Sequence, residues 1–162
     1  MVKTLVTIGY HNGELEWGRC VREQYESRDL RGNRDIGFYE VQDSDVETGD
    51  ISEKVAAEID KKMDEQGFKL LIDIHCGFVP EKRGEISLHY SGEDDETLSK
   101  AWQLEDAAVN DIRHMPPANR LRYLKALADV HLSKEDIEKK SEVYQKGLER
   151  TLRFINEIYD IH

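Results

Sequence analysis

Short apolar strands alternating with helical segments predict an α/β fold: a compact, mostly parallel sheet covered by helices on both faces. Two observations carry that expectation. β-Branched and apolar runs recur at residues 2–8, 36–41 and 70–77, and apolar stripes at helical spacing lie between them, at residues 14–27 and 52–66. The run Leu70-Leu71-Ile72-Asp73-Ile74-His75-Cys76-Gly77, preceded by Gly67, suits a central strand buried on both sides. The 162 residues suffice for one domain, 1–162, with a proper core.

The elements follow in order. Val2 to Ile8 reads as an interior first strand, and Gly9-Tyr10-His11-Asn12-Gly13 breaks it. Residues 14–27 form a helix with Trp17, Val21 and Tyr25 on its apolar stripe. Residues 28–35 are a polar loop, 36–41 a second strand, and 43–50 an acidic loop. Ser52 is an N-cap for a helix to about Gln66, which buries Val55, Ile59 and Met63 and stops at Gly67. After the central strand come a loop at 78–84, a short alternating strand at 85–90, and a helix at 97–114 ended by Met115-Pro116-Pro117. Residues 121–132 suit either a helix, through Leu121, Leu124 and Ala128, or a strand from Ala126. Ser133 then caps one long final helix carrying Ile137, Leu148, Leu152, Ile155 and Tyr159.

Composition excludes several roles. Against 23 basic residues stand 34 acidic ones, and a net charge of −11 repels nucleic-acid phosphates and anionic lipid. No apolar run reaches the roughly 20 residues of a membrane span, and the N-terminus lacks signal-peptide anatomy. Cys20 and Cys76 form no zinc-ribbon or CxxC spacing and read as reduced thiols, which fits a cytoplasmic protein.

The chemistry gathers at the strand ends. Side chains alternate along a strand, so Leu71, Asp73 and His75 share one face of the central run. A carboxylate there is costly unless it is paired. His11-Asn12-Gly13-Glu14 is an H-x-x-E motif at a strand-to-helix turn, where that spacing can bring both side chains to one side. With His75 from the neighbouring strand it supplies two imidazoles and one carboxylate, the protein ligand set of a catalytic zinc, Zn2+. Asp73 is placed to steady the His75 imidazole from behind.

These motifs resemble the aspartoacylase and succinylglutamate desuccinylase branch of the zinc carboxypeptidase-like hydrolases, in shortened form. Thr7-Ile8-Gly9-Tyr10-His11-Asn12-Gly13-Glu14 looks like that family's first metal motif, with Gly and Asn exchanged, and Leu71-Ile72-Asp73-Ile74-His75 like its third-ligand strand. Asn33-Arg34 is similar to the family's Asn-Arg pair and would contact a substrate carboxylate, with Arg28 or Arg31 assisting. The family's catalytic Glu falls at Asp129 in Asp129-Val130-His131. Asp is one methylene shorter, and a displacement of about 1 Å can cost roughly 100-fold in rate. His131, on the same face if this is a strand, would then help with proton transfer. The resemblance implies metal-activated water cleaving an amide bond of a small N-acyl amino acid or C-terminal peptide, with Asp129 taking the proton. It leaves open a non-catalytic module that binds metal or a carboxylate, and a formylglutamate amidohydrolase-like enzyme.

Other polar residues read as structural. Cys76 points away from His75, so a thiol nucleophile is not expected, and Cys20 and Trp17 read as packing, as does Trp102. His89 reads as a surface or partly satisfied histidine, His114 as a helix C-terminal cation and His162 as solvated. The acidic runs at 43–45 and 93–96 lack calcium-site spacing.

Overall fold

The computed structural model describes residues 2–9, 14–28, 32, 34–42, 46–47, 50–90, 108–111 and 121–161. In chain order these form β1 (Thr4–Ile8), α1 (Glu14–Ser27), β2 (Ile36–Glu40), β3 (Val46–Glu47), β4 (Asp50–Ile51), α2 (Glu53–Gln66) and β5 (Leu70–Gly77). After a 3-10 turn at Pro80–Lys82 come β6 (Ile86–Tyr90), β7 (Ala108–Asp111), β8 (Leu124–His131), α3 (Lys134–Lys139) and α4 (Glu142–Ile161).

Six strands make one sheet in the order β2-β1-β5-β8-β6-β7. Every pair within it is parallel except β6 with β8. β6 is reversed because the chain returns from the top of β5 through a short link, whereas a parallel return needs a crossover of a dozen residues or more. The predicted fold class, a mostly parallel sheet clad on both sides, is the one observed. On one face α1, α3 and α4 bury Val6, Ile8, Ile72, Ile74, Ala128 and Val130 against Trp17, Ile137 and Phe154. On the other, α2 packs Ile59 and Met63 against Leu5, Leu71 and Leu127.

Local chemistry accounts for the helix ends. Ser52 accepts the Val55 amide at 3.2 Å, and Gly67 stops α2 in the left-handed region at φ 73°. Gly18 has a different role. A Cβ built on it would lie 2.4 Å from Ile8 Cβ, so α1 reaches β1 only because no side chain intervenes.

Of the two readings open at residues 121–132 the strand is the one observed, β8 at Leu124–His131, since a run buried on both faces has no period of its own and the sheet decides. Three expectations need correction. The acidic loop at 43–50 contributes to a small antiparallel ladder, Val46 with Ile51 and Glu47 with Asp50. The helix expected at 97–114 is a strand at Ala108–Asp111, where the open edge of β6 captures the backbone, and its remaining residues lie outside those described. The single final helix is two. Lys140 turns left-handed at φ 49°, and Ser141 restarts the chain by accepting the Tyr144 amide at 3.3 Å.

Candidate active site

The face covered by α2 is apolar at the amino ends of the strands and polar at their carboxyl ends. Thr7 on β1 stands opposite Asp73 on β5. His75 stands opposite Asp129 on β8, which in turn faces Ser87 on β6. Gly77 stands opposite His131, and His89 on β6 opposite Leu127. Residues in register share a face, so the polar side chains form rows across the rim.

One irregularity makes this row possible. Leu71 pairs with Leu124 but Ile72 with Ala126, so β8 carries an extra residue, Lys125, at that point. Counted without it, Ala128 would oppose His75 and Asp129 would turn to the apolar face. A bulge of one residue exchanges the two faces of everything that follows.

Thr7, Asp73 and His75 form a chain running up to the rim. Thr7 Oγ1 donates to Asp73 Oδ1 in a short contact, and both residues are fully buried. Asp73 Oδ2 lies 3.8 Å from His75 Nε2, longer than a hydrogen bond, which places the carboxylate behind the imidazole. His75 is itself buried, at 8% exposure. The Gly77 amide donates to Asp129 Oδ1 at 3.2 Å and so orients that carboxyl. The His131 ring lies over Gly77, with Cε1 and Nδ1 both 3.5 Å from where a Cβ would stand. Its Nδ1 is enclosed without a hydrogen-bond partner among the described residues, as is that of His89. Burial pushes the His89 imidazole below its ordinary value; the charge of Asp129 opposes this and that of His75 adds to it. His89 is therefore within electrostatic reach of both.

The structure brings together His75, Asp73, Asp129 and His131, with Asp129 and His131 on one face of a strand. His11 lies outside the described residues. Glu14 opens α1, but its side chain is not among the described positions. Among the described residues no group of three His, Cys, Asp or Glu is arranged to hold a metal. The flanking elements are described: β1 ends at Ile8 beside Ile74, and α1 begins at Glu14. Gly9, at φ 81°, makes the bend; a Cβ there would lie 2.7 Å from the Val41 carbonyl oxygen.

Arg34 is not at this site. It precedes β2, whose Ile36 pairs with Thr4 at the foot of β1, roughly 20 Å from His75 at ~3.3 Å per strand residue. Its guanidinium donates to both carboxylate oxygens of Asp160 at 2.9 and 2.7 Å. Its partner in the proposed pair, Asn33, lies outside the described residues. Ser87 and His89 were not among the predicted site residues. The signal for them is the alternation in Ile86-Ser87-Leu88-His89-Tyr90, which puts both polar groups on one face; only the sheet order shows which face that is.

No family model matches the sequence, and no curated protein does. Solved structures match its fold. The catalytic domain of CD27L, an endolysin targeting Clostridia difficile, superposes with a TM-score of 0.61 at 11% identity over 94% of each chain. The catalytic domain of CwlV, an N-acetylmuramoyl-L-alanine amidase from Bacillus (Paenibacillus) polymyxa var. colistinus, gives 0.54 at 10% over 100% of both. An N-acetylmuramoyl-L-alanine amidase from Clostridium difficile 630 gives 0.52 at 15%, over 97% of this chain and 96% of that one. The chain has the fold of these amidase catalytic domains. This corrects the resemblance to aspartoacylase, succinylglutamate desuccinylase and the zinc carboxypeptidases. A histidine after a first strand and another ending a central strand mark the rim of many parallel sheets, and two short motifs do not distinguish one fold from another.

Proposed function

We propose that this chain is a zinc-dependent amidase acting on an amide bond of peptidoglycan, of the N-acetylmuramoyl-L-alanine kind for which its structural neighbours are named. The observation that carries the reading is His75 facing Asp129 in register, at the carboxyl edge of a sheet with that fold. A free small N-acyl amino acid or carboxylate is not the substrate this fold points to.

Of the residues that would bind zinc, the described ones place the His75 imidazole at the rim, and Asp129, His89 and His131 share its face without forming a three-residue metal group among the described residues. His75, His11 and Glu14 would hold the ion. When bound, zinc supplies Lewis acidity that polarises an amide carbonyl and lowers the pKa of water. Asp129 is the general base: Gly77 fixes one of its oxygens, and the other is available to take a proton and return it to the departing amine. His131, two residues along the same face, is placed to assist that transfer to the amine. Asp73, anchored by Thr7, holds the His75 imidazole in one orientation.

The test is incubation of the purified protein with peptidoglycan and measurement of newly freed alanine amino groups. The expected result is release that a chelator abolishes and zinc restores. A folded protein that releases none, with zinc supplied, removes the reading.

A further inference from the structure

Across the sheet from the polar row, the same strand ends wall a cleft of about 470 Å³. Its described lining includes Cys76, Leu132 and Ile137, which give an apolar floor, and Phe78, which is 49% exposed at the lip. Lys134 and Glu16, both exposed, put one cation and one anion on opposite helices at its mouth. Gly77 belongs to the cleft and to the polar row alike, because its amide holds Asp129 and the His131 ring packs over it.

The walls are tied together. Arg83, from the loop that follows Phe78, donates to Asp136 of α3 through Nε at 2.9 Å and Nη2 at 2.5 Å. The Leu132 amide donates to the Gly77 carbonyl at 3.1 Å, and the Gly84 amide to the His131 carbonyl at 2.7 Å. Phe78 and Lys134 are thus held on elements braced to each other, so the opening is preformed.

We propose that this cleft is the peptide subsite: it takes the amino-acid side of the scissile amide, with an apolar side chain on Leu132 and Ile137 and a carboxylate on Lys134. The assignment rests on the amidase reading above. Charge decides between the two halves of the substrate. A glycan chain is neutral once its lactyl carboxyl is amidated and meets a Lys and Glu pair through hydroxyl hydrogen bonds alone, whereas a peptide adds carboxylates that pair with Lys134 by charge and amide N–H groups that donate to Glu16. The cleft also lies outside the carboxyl ends of the strands, in the crevice where parallel sheets receive ligands.

The experiment is calorimetric binding of a synthetic N-acetyl-L-alanyl dipeptide with a free C-terminal carboxylate, set against its C-terminal amide. It is run on the native protein and on Lys134→Ala and Phe78→Ala, both of which alter exposed side chains. The expected result is a native preference of about fivefold for the free carboxylate, lost in Lys134→Ala. In Phe78→Ala both ligands weaken together and the preference stays. Equal binding of the two ligands to the native protein, no binding of either, or an undiminished preference in Lys134→Ala overturns the subsite. Turnover is read separately with peptidoglycan, so a protein that cleaves peptidoglycan yet shows no carboxylate preference loses this inference and keeps the amidase reading.

Discussion

His75 and Asp129 stand directly opposite one another on adjacent parallel strands, and they do so because β8 holds one more residue than β5 between Leu124 and that row. The extra residue, Lys125, brings a carboxylate to the face where the sheet already presents an imidazole.

That pairing makes Asp129 the first residue to alter. Asp129→Asn keeps an oxygen for the Gly77 amide and removes the base, so stability should hold while kcat on peptidoglycan falls about 100- to 10,000-fold. Thermal unfolding measured beside turnover separates this from a folding defect; comparable turnover in the variant would remove Asp129 from the role.

His89 reports on the same charges. Its imidazole lies below its ordinary value through burial, with Asp129 working against the shift and His75 with it. In zinc-free protein followed by NMR, Asp129→Asn should move the His89 titration further down, and His75→Ala should move it up. Because the folded value is depressed, the unfolded chain binds the proton more readily, and this group's contribution to stability is lost as pH falls through about 6.5. A His89→Gln variant should therefore lose less stability than the native protein between pH 7 and 5.

Asp136 joins α3 to the loop after β5. It accepts from Arg83, Ser133 and Ser141 and closes a capping box with Ser133, which hold its carboxyl well below the ordinary carboxylate range despite burial. The stability from that depression is fully present above the unfolded value near 4 and is lost as pH drops below it. Asp136→Ala should cost about 1 kcal/mol through the cap alone, and its stability should depend less steeply on pH below 4 than that of the native protein. Acid titrations of unfolding midpoints check both.

Gly18 marks where α1 touches the sheet. With a Cβ forced to 2.4 Å from Ile8, Gly18→Ala should destabilise by about 1–3 kcal/mol despite its better helix propensity. Denaturant unfolding gives the sign directly, and a stabilised variant would contradict the close approach.

How much of this was legible in the sequence depended on whether a local signal existed. Ser52 and Gly67 delimit α2 by chemistry written into those residues, and both cap it in the structure. The central strand carries its own pattern, and Asp73 and His75 do share a face. Leu124 to His131 carries none: with Leu127 buried on one side and Ala126, Ala128 and Val130 on the other, only pairing with β5 and β6 settles it. The Lys125 bulge and the position of β6 beyond β8 are properties of the assembled sheet, so Ser87 and His89 could not be assigned a side beforehand. A two-residue likeness points Arg34 to the site, whereas the parallel register of β2 puts it at the opposite edge, clasping Asp160. The break at Lys140 had a local sign, Ser141 before a fresh apolar stripe, which the longer periodicity of the last helix concealed.

The most direct measurement is the zinc content of protein purified without a metal-affinity step, for the native chain and for His75→Ala. The account predicts about one zinc per native chain and a large loss in the variant, both proteins being folded. A native protein that takes up no zinc, or a variant that holds it equally well, would contradict a metal centre at the carboxyl edge of this sheet.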